Sequence, residues 1–374
     1  MQKNSPLWNL GLWFNLVIVL IMAGCASPMR GNLDAYPPMA NDRPPGASAQ
    51  AFQVAKALGR GINFGNMLEA PNEGDWGLTL RPDFLDAVTQ AGFQTVRLPV
   101  RWSNHAATKR PFRLDVAFAN RVESVVDKLL AKGVYVVLNM HHYRALDGDA
   151  PDKGDEPQNT SLSDERFLAL WAQIAQRFAG KSDKLIFEIY NEPHRLLDGP
   201  HWNEVMARAT AAVRKSNPLR VLMIGPVQWN NADALADLRL PNDANLIVTI
   251  HNYAPFKFSH QGATWIDPVL PTGVSCCDAA QREEMLQPLD TAKRWSDQNR
   301  YPIFVGEFGA YEKADMAARV RFTQIMREEM ELRGFGWAYW ELAAGFGVYD
   351  PETRKFKSEL MGVLLPGTRP MPQP

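Results

Sequence analysis

Residues 185–194 read Leu-Ile-Phe-Glu-Ile-Tyr-Asn-Glu-Pro-His, an apolar run that ends in polar side chains. A short run of this kind, rich in Ile and Phe, is typical of a strand that is buried on both faces. Seven other segments have the same form, and segments of helical periodicity separate them. The eight predicted strands are residues 61–66, 95–100, 134–142, 185–191, 221–228, 246–253, 303–307 and 335–341.

The segments between these runs have the spacing of amphipathic helices. Residues 116–132 carry one apolar stripe, and residues 166–178 and 316–332 follow the same pattern. Alternation of strand and helix predicts a parallel sheet, and eight such units close most naturally into a (β/α)8 barrel. We therefore predict an α/β fold, with a single (β/α)8 TIM-barrel domain over residues 51–366 and a C-terminal tail over residues 367–374.

Polar side chains are concentrated at the ends of the predicted strands. Because active sites of (β/α)8 barrels are built at the carboxyl ends of the strands, these side chains are the candidate functional residues. Side chains alternate along a strand, so Glu188, Tyr190 and Glu192 should share one face, and Glu188 should be a buried carboxylate with a partner. The polar and aromatic residues at or near the strand ends are Asn66, Glu69, Arg97, His141, His142, Asn191, Glu192, His251, Tyr253, Glu307, Trp340 and Glu341.

Two of these residues are glutamates that end the fourth and seventh strands. In a closed barrel the ends of these two strands face each other across the mouth. Paired carboxyl groups break glycosidic bonds, and they lie about 5 to 5.5 Å apart in enzymes that retain the anomeric configuration. Glu192 and Glu307 are therefore the candidates for such a pair.

The segments that carry the two glutamates resemble known signatures. Residues 185–194 and residues 303–311, Ile-Phe-Val-Gly-Glu-Phe-Gly-Ala-Tyr, resemble the acid/base and nucleophile motifs of glycoside hydrolase family 5. The resemblance covers about residues 52–365 and is nearest to bacterial endo-β-1,4-glucanases, some of which also act on β-mannan or glucomannan. The other segments that resemble family motifs are residues 61–71, 96–99, 139–143, 250–253, 258–265 and 337–340.

The resemblance implies a retaining, endo-acting hydrolase of β-1,4-linked glucans that needs no cofactor. Glu192 would be the acid/base, with a raised pKa, and Glu307 the nucleophile, with a low pKa. Arg97 and Tyr253 would keep Glu307 ionised, and Asn191 would bind the sugar 2-hydroxyl. The substrate-binding residues that the resemblance implies are Asn66, Glu69, Arg97, His141, His142, Asn191, His251, Tyr253, His260, Trp265 and Trp340. The alternatives are a β-mannanase or exo-acting β-glucanase of the same family, and a non-catalytic surface lipoprotein that binds glycan.

The segment 254–280 is too long for an ordinary connection, and loops of this length are usually functional. Its aromatic and polar residues predict a cleft wall that contacts neighbouring sugars. The alternative is a surface loop that is packed by its own aromatic side chains. The residues concerned are Phe256, Phe258, His260, Gln261 and Trp265.

Charge and histidine spacing exclude other classes of partner. The formal net charge is −1 with no long run of one sign, so a neutral polymer fits better than nucleic acid. His141 and His142 are adjacent on a predicted strand and should point in opposite directions, so we predict no metal site there. We also expect the protein to be a monomer.

The amino terminus has the layout of a targeting segment. Lys3 precedes an apolar stretch, and Met22-Ala23-Gly24-Cys25 resembles the lipobox of bacterial lipoproteins. We predict a signal peptide over residues 1–24, lipidation of Cys25 and a flexible tether over residues 25–50. The protein would then be extracytoplasmic and membrane-anchored, in the outer membrane if the cell is Gram-negative. An uncleaved anchor and an ordinary signal peptide, which would leave the protein secreted, are the alternatives.

Three cysteines are too few for a disulfide framework, although the predicted compartment is oxidising. Cys276 and Cys277 are adjacent, and closing a disulfide between neighbours is unfavourable. We therefore expect both to be free thiols.

Overall fold

A computed structural model of the protein describes residues 31–155 and 159–367. The predicted signal peptide, Cys25 and all but the first residue of the predicted tail lie outside the described residues. Eight parallel strands form a closed barrel in which neighbours in sequence are neighbours in space. The strands are β1 Arg60–Asn63, β2 Thr95–Leu98, β3 Tyr135–Asn139, β4 Leu185–Glu188, β5 Leu222–Ile224, β6 Leu246–His251, β7 Ile303–Glu307 and β8 Gly336–Tyr339. The predicted (β/α)8 barrel is confirmed.

Helices surround the barrel and connect successive strands. Among residues 31–155 and 159–367, none of them has both the length and the apolar composition needed to cross a bilayer. The helices are α1 Ala49–Leu58, α2 Pro82–Ala91, α3 Val116–Ala131, α4 Arg144–Asp147, α5 Thr160–Arg177, α6 Gly199–Arg214, α7 Phe256–Ser259, α8 Ala279–Asn299, α9 Met316–Leu332 and α10 Ser358–Leu364. A short antiparallel hairpin, β9 Tyr349–Asp350 with β10 Lys355–Phe356, follows the barrel.

Most of the strands are shorter than the predicted runs, because the polar residues at the ends of the runs lie in the loops that follow. The fourth strand ends at Glu188, which is fully buried and bonded to Arg97, as predicted for a partnered carboxylate. Tyr190 does not share its face. Strand alternation stops at Glu188, and Tyr190 instead packs against Phe167 and Trp202 outside the barrel. The prediction of a common face was therefore wrong for Tyr190.

The core has two layers. One buried cluster takes alternate residues of the strands, among them Val137, Ile186 and Phe304, and it fills the interior of the barrel. Ala55 and Leu58 of α1 belong to the same cluster, so α1 closes the end of the barrel where the strands begin. A larger cluster lies between the strands and the outer helices. The carboxyl ends of the strands therefore remain open for a site.

The segment before α1 lies against the outside of the barrel. The backbone N–H of Asn32 donates to Glu165 Oε2 at 2.6 Å, and the N–H of Ala47 donates to Arg300 O at 2.7 Å. Leu33 and Tyr36 pack against the outer core, and α1 begins at Ala49. Residues 31–50 of the predicted flexible tether are therefore held against the barrel by backbone hydrogen bonds and partly buried side chains.

Cys276 and Cys277 are joined by a disulfide bond, which corrects the expectation of two free thiols. Arg321 donates to the carbonyl oxygen of Cys276 at 2.7 Å, and the side chain of Cys276 is buried. The loop is thus held in place at this point by contacts outside the cysteine pair, which the sequence argument did not consider.

Candidate active site

A cavity of about 1150 Å³ opens at the carboxyl ends of the strands. It lies where the barrel geometry predicts a site, and its volume slightly exceeds the usual range for small-molecule sites, about 300 to 1000 Å³. The predicted site residues that line it are Asn66, Glu69, His141, His142, Glu192, His251, Tyr253, His260, Trp265, Glu307 and Trp340. Glu341, for which the sequence favoured neither a binding nor a structural role, also lines it.

Glu192 and Glu307 meet on the floor of this cavity. One carboxylate oxygen of each, together with a ring nitrogen of His251, lie within 4.8 Å of one another. This separation fits a retaining pair and leaves too little room for the water molecule that an inverting pair holds. His251 Nδ1 is 2.7 Å from Glu192 Oε1 and 3.6 Å from Glu307 Oε2, so its ring bridges the two carboxyl groups.

Arg97 lies beneath the pair rather than beside the substrate. Its guanidinium is fully buried, and it donates to Glu307 Oε1 at 2.6 Å and to both oxygens of Glu188 at 2.6 and 2.8 Å. It also donates to Asn191 Oδ1 at 2.7 Å. Neither Arg97 nor Asn191 lines the cavity. Direct substrate contact by Arg97 is therefore not what the structure shows, because its N–H groups donate to carboxylate and amide oxygens beneath the cavity.

The electrostatics separate the two glutamates. Burial raises the pKa of Glu192 to about 7, although the charges of Arg97 and His194 lower it. Burial also raises the pKa of Glu307, which corrects the expectation of a low value. Arg97, His251 and Tyr253 oppose this effect, and Tyr253 donates to Glu307 Oε2 at 2.9 Å. Of the two glutamates, only Glu307 accepts hydrogen bonds from Arg97 and Tyr253, so the negative charge of the pair is stabilised on Glu307 while Glu192 keeps its proton.

Two neutral histidines and an aromatic ring form one wall. Burial lowers the pKa of His142 to about 3, and that of His141 also lies well below its usual value. Both rings line the cavity, 4.5 Å apart, whereas the sequence predicted opposite directions. That argument failed because β3 ends at Asn139, before the pair. Trp340 lies nearly parallel to His141 at 5.6 Å, in the place expected for a ring that stacks on sugar.

The long segment 254–280 contributes to the wall of the cavity, as predicted. Phe256, His260 and Trp265 line the cavity, and Trp265 is 56% exposed. Gln261 is buried and does not line it. Its side chain donates to Val274 O at 2.8 Å and accepts from Gly273 N at 2.8 Å, so it braces the loop from within.

Two further carboxyl groups lie near Trp340. Burial raises the pKa of Glu69 to about 7 and that of Glu341 to about 8. The negative charge of Glu307 raises both pKa values further. Glu69 accepts from the backbone N–H groups of Asn66 and Met67. Glu341 Oε2 is buried and has no hydrogen-bond partner among the described residues.

Sequence reasoning missed several aromatic residues of the cavity. Trp76 and Trp229 are 39% and 54% exposed, and Tyr311 and Phe346 line the cavity as well. Trp229 lies in a loop after β5, the one strand end to which no site residue was assigned. The absence of a predicted site residue after the fifth strand could have indicated this loop, because every other strand end of the barrel contributed to the predicted site.

Among the residues that the structure describes, two groups of side chains have the composition of a metal site. The first is Glu192 with His251 and Glu307, in which His251 Nδ1 is already hydrogen-bonded to Glu192 Oε1. The second is Asp147, Asp149 and His194. Burial lowers the pKa of His194, but bonds and charges from Asp149, Asp147 and the Glu192 carbonyl raise it to about 9. An imidazolium therefore supplies the positive charge that the second group requires.

Comparison with known proteins decides the family. Residues 57–345 match the model of the cellulase family, glycosyl hydrolase family 5. The chain belongs to glycosyl hydrolase family 5. This confirms the resemblance that was based on the two glutamate motifs, and the family 5 match includes every predicted catalytic and substrate-binding residue.

Individual relatives agree with the family 5 assignment. Endoglucanase H of Acetivibrio thermocellus is 35% identical over 341 residues, which are 87% of this chain and 35% of that relative. The chain thus spans about a third of the length of that relative. Two solved structures of Thermotoga maritima Cel5A, in complex with mannotriose and with cellobiose, are each 40% identical with a TM-score of 0.80. Each covers 84% of this chain and 100% of its own.

Proposed function

We propose that this family 5 protein hydrolyses β-1,4 bonds within glucans, with retention of anomeric configuration. The observation that carries the proposal is the spacing of Glu192 and Glu307, whose oxygens lie within 4.8 Å on the floor of the cavity. Protonated Glu192 gives its proton to the glycosidic oxygen while Glu307 attacks the anomeric carbon. Glu192 then takes a proton from water, and that water releases the sugar from Glu307.

Endo action is supported by the aromatic lining of the cavity. Trp76, Trp229 and Trp265 come from three different loops, and each exposes 39% or more of its surface. Aromatic faces of this kind stack on sugar rings, so several sugars can bind along the cleft. A falling solution viscosity before many reducing ends appear would support endo action, and cellobiose as the sole early product would contradict it.

Mannan is the second candidate substrate. A protein of the same family with 40% identity has been seen with mannotriose as well as with cellobiose. Assays on carboxymethylcellulose, mixed-linkage glucan, glucomannan and mannan, with sizing of the products, test both candidates. We expect the highest kcat/KM on the glucans. Absence of hydrolysis on all four polymers would overturn the proposed function and favour a glycan-binding protein.

Replacing Tyr253 with phenylalanine should lower kcat by roughly 10- to 100-fold, since a hydrogen bond to a charged group is lost. The hydroxyl lowers the pKa of Glu307, so its loss raises that pKa and moves the acidic limb of the pH profile to higher pH. Tyr301→Phe is the matched control, because the Tyr301 hydroxyl donates to Asp243 O away from the cavity. An unchanged acidic limb in Tyr253→Phe would contradict the role of Tyr253.

Removal of divalent metal ions should leave the activity unchanged. The proposed reaction needs only two carboxyl groups, and the second cluster of possible ligands already holds an imidazolium. Dialysis against a chelator, followed by an assay with and without added Zn²⁺, measures this. A loss that Zn²⁺ reverses would show that a metal takes part.

We also propose that the protein acts outside the cytoplasm, anchored through a lipid on Cys25. The proposal rests on the sequence alone, where Met22-Ala23-Gly24-Cys25 follows an apolar stretch. Growth with a labelled fatty acid should label the wild type and not Cys25→Ser. An unlabelled wild type would overturn the proposal.

A further inference from the structure

His194 contacts the backbone of Glu192, and the proposed reaction gives it no role. Its Nδ1 lies 2.6 Å from the carbonyl oxygen of Glu192, and its Nε2 lies 3.2 Å from Asp149 Oδ2. Both ring nitrogens therefore face acceptors, which suits a protonated ring that donates from both. This agrees with the pKa of about 9 that its partners give it.

The contact holds a strained part of the backbone. Glu192 has a φ of 47°, in the left-handed region that residues other than glycine rarely adopt. Pro193 follows it, and a proline further restricts the residue before it to extended conformations. Strain of this kind persists only where neighbouring groups hold the backbone. The hydrogen bond from His194 to the carbonyl oxygen of Glu192 restrains the backbone in this way. Glu192 is also the residue whose carboxyl must reach the glycosidic oxygen.

The same ring supports the wall of the cavity. The rings of His194 and Trp229 are nearly parallel, with centroids 4.8 Å apart, and the backbone N–H of Trp229 donates to Pro193 O at 3.3 Å. Trp229 is one of three consecutive residues with φ between 57° and 59°, none of which is glycine. His194 thus connects Glu192 to a loop that lines the cavity.

Charged groups surround both His194 and Glu192. Burial raises the pKa of Asp147 to about 8, and the Tyr190 hydroxyl donates to its Oδ2 at 2.5 Å. Asp149 is therefore the constant counter-ion of His194 near neutral pH, and Arg144 and Arg195 lie 3.6 Å from it. The ionisable groups that act on Glu192 are Arg97, Glu188, His194, His251, Tyr253, Glu307 and Asp147.

We propose that His194 is a positioning residue for the general acid. It fixes the backbone of Glu192 so that the carboxyl points at the glycosidic oxygen. Its positive charge also favours the ionised form of that carboxyl. The inference rests on the proposed function. It assigns a role to a residue that takes no direct part in the reaction.

His201 provides a matched control. Its Nδ1 lies 2.7 Å from the carbonyl oxygen of Leu196, and its Nε2 lies 3.0 Å from Asp164 Oδ2. The bond to Asp164 raises the pKa of His201 to about 9. It therefore makes the same two kinds of contact as His194, without touching Glu192 or lining the cavity.

The test compares aryl β-cellobiosides that have the same size and different leaving groups. In His194→Ala we expect kcat/KM for the phenyl glycoside to fall roughly 10- to 100-fold, because this leaving group needs a well-placed proton. For the dinitrophenyl glycoside we expect a loss of about threefold or less, since dinitrophenolate departs without one. His201→Ala and Trp229→Ala should show no such dependence on the leaving group.

The pH profile gives a second readout. The charge of His194 lowers the pKa of Glu192, so His194→Ala should move the basic limb of kcat/KM to higher pH. His194→Asn places an amide N–H near the position of Nδ1, so it should recover part of the loss on the phenyl glycoside while keeping the shifted limb.

The possible failures are distinguishable. Equal losses across the leaving groups, an unmoved basic limb, or the same leaving-group dependence in His201→Ala would each overturn the role of His194. A wild type that hydrolyses neither the cellobiosides nor any polymer would overturn the proposed function, and this inference with it.

Discussion

Glu307→Ala is expected to lower kcat on soluble β-1,4-glucan by on the order of 10⁴- to 10⁶-fold, the range found when a residue of another covalent catalytic group is removed. Glu307 is the group that would bond to the anomeric carbon, and no other carboxylate among the described residues has its place between Arg97 and Tyr253. The loss should be the same for polymers and activated aryl glycosides, because both need the nucleophile.

Glu312→Ala is the control for this change. Glu312 is an exposed glutamate five residues further along the chain, outside the cavity. We expect near wild-type kcat for it and an unchanged melting temperature. Activity of Glu307→Ala within about tenfold of the wild type would remove the basis for a covalent mechanism at this residue.

Glu192→Gln is expected to lower kcat/KM on unactivated glucan by roughly 10²- to 10⁴-fold, the usual contribution of a general acid. Glutamine keeps the size and the hydrogen bonding of the side chain but has no proton to give. On a dinitrophenyl cellobioside kcat/KM should fall far less, since that leaving group needs no acid. Comparable losses on both substrates would contradict the role of Glu192.

The pH profile of the same variant is an independent check. Burial holds the pKa of Glu192 at about 7, so wild-type kcat/KM on glucan should fall as the pH rises above about 7 and the acid loses its proton. Glu192→Gln has no group to titrate there. Its profile on the activated substrate should therefore lack this basic limb.

The fold and the two glutamates could be predicted from the sequence for one physical reason. Strands of a parallel barrel are buried on both faces, so each appears as an apolar run that ends abruptly in polar residues. Glu192 and Glu307 end the fourth and seventh runs, and the barrel topology then fixes that they face each other. No knowledge of side-chain direction is needed for this step.

Residues whose role depends on side-chain depth or loop conformation were predicted less well. Arg97 was placed in the second strand, but its position beneath the cavity depends on the strand register that brings it between Glu188 and Glu307. Trp229 was missed because its loop takes three left-handed residues without a glycine. Residues 31–50 were taken for part of a tether because backbone hydrogen bonds, which leave no periodic pattern in the sequence, hold much of the segment.

The stereochemistry of the first product tests the central claim most directly. Proton NMR during hydrolysis of a cello-oligosaccharide distinguishes the α and β anomers before mutarotation mixes them. Oxygens of Glu192 and Glu307 within 4.8 Å predict that the β anomer forms first and that the α anomer follows slowly. Appearance of the α anomer first would contradict the account, because inversion requires carboxyl groups that are far enough apart to hold a water molecule between them and the sugar.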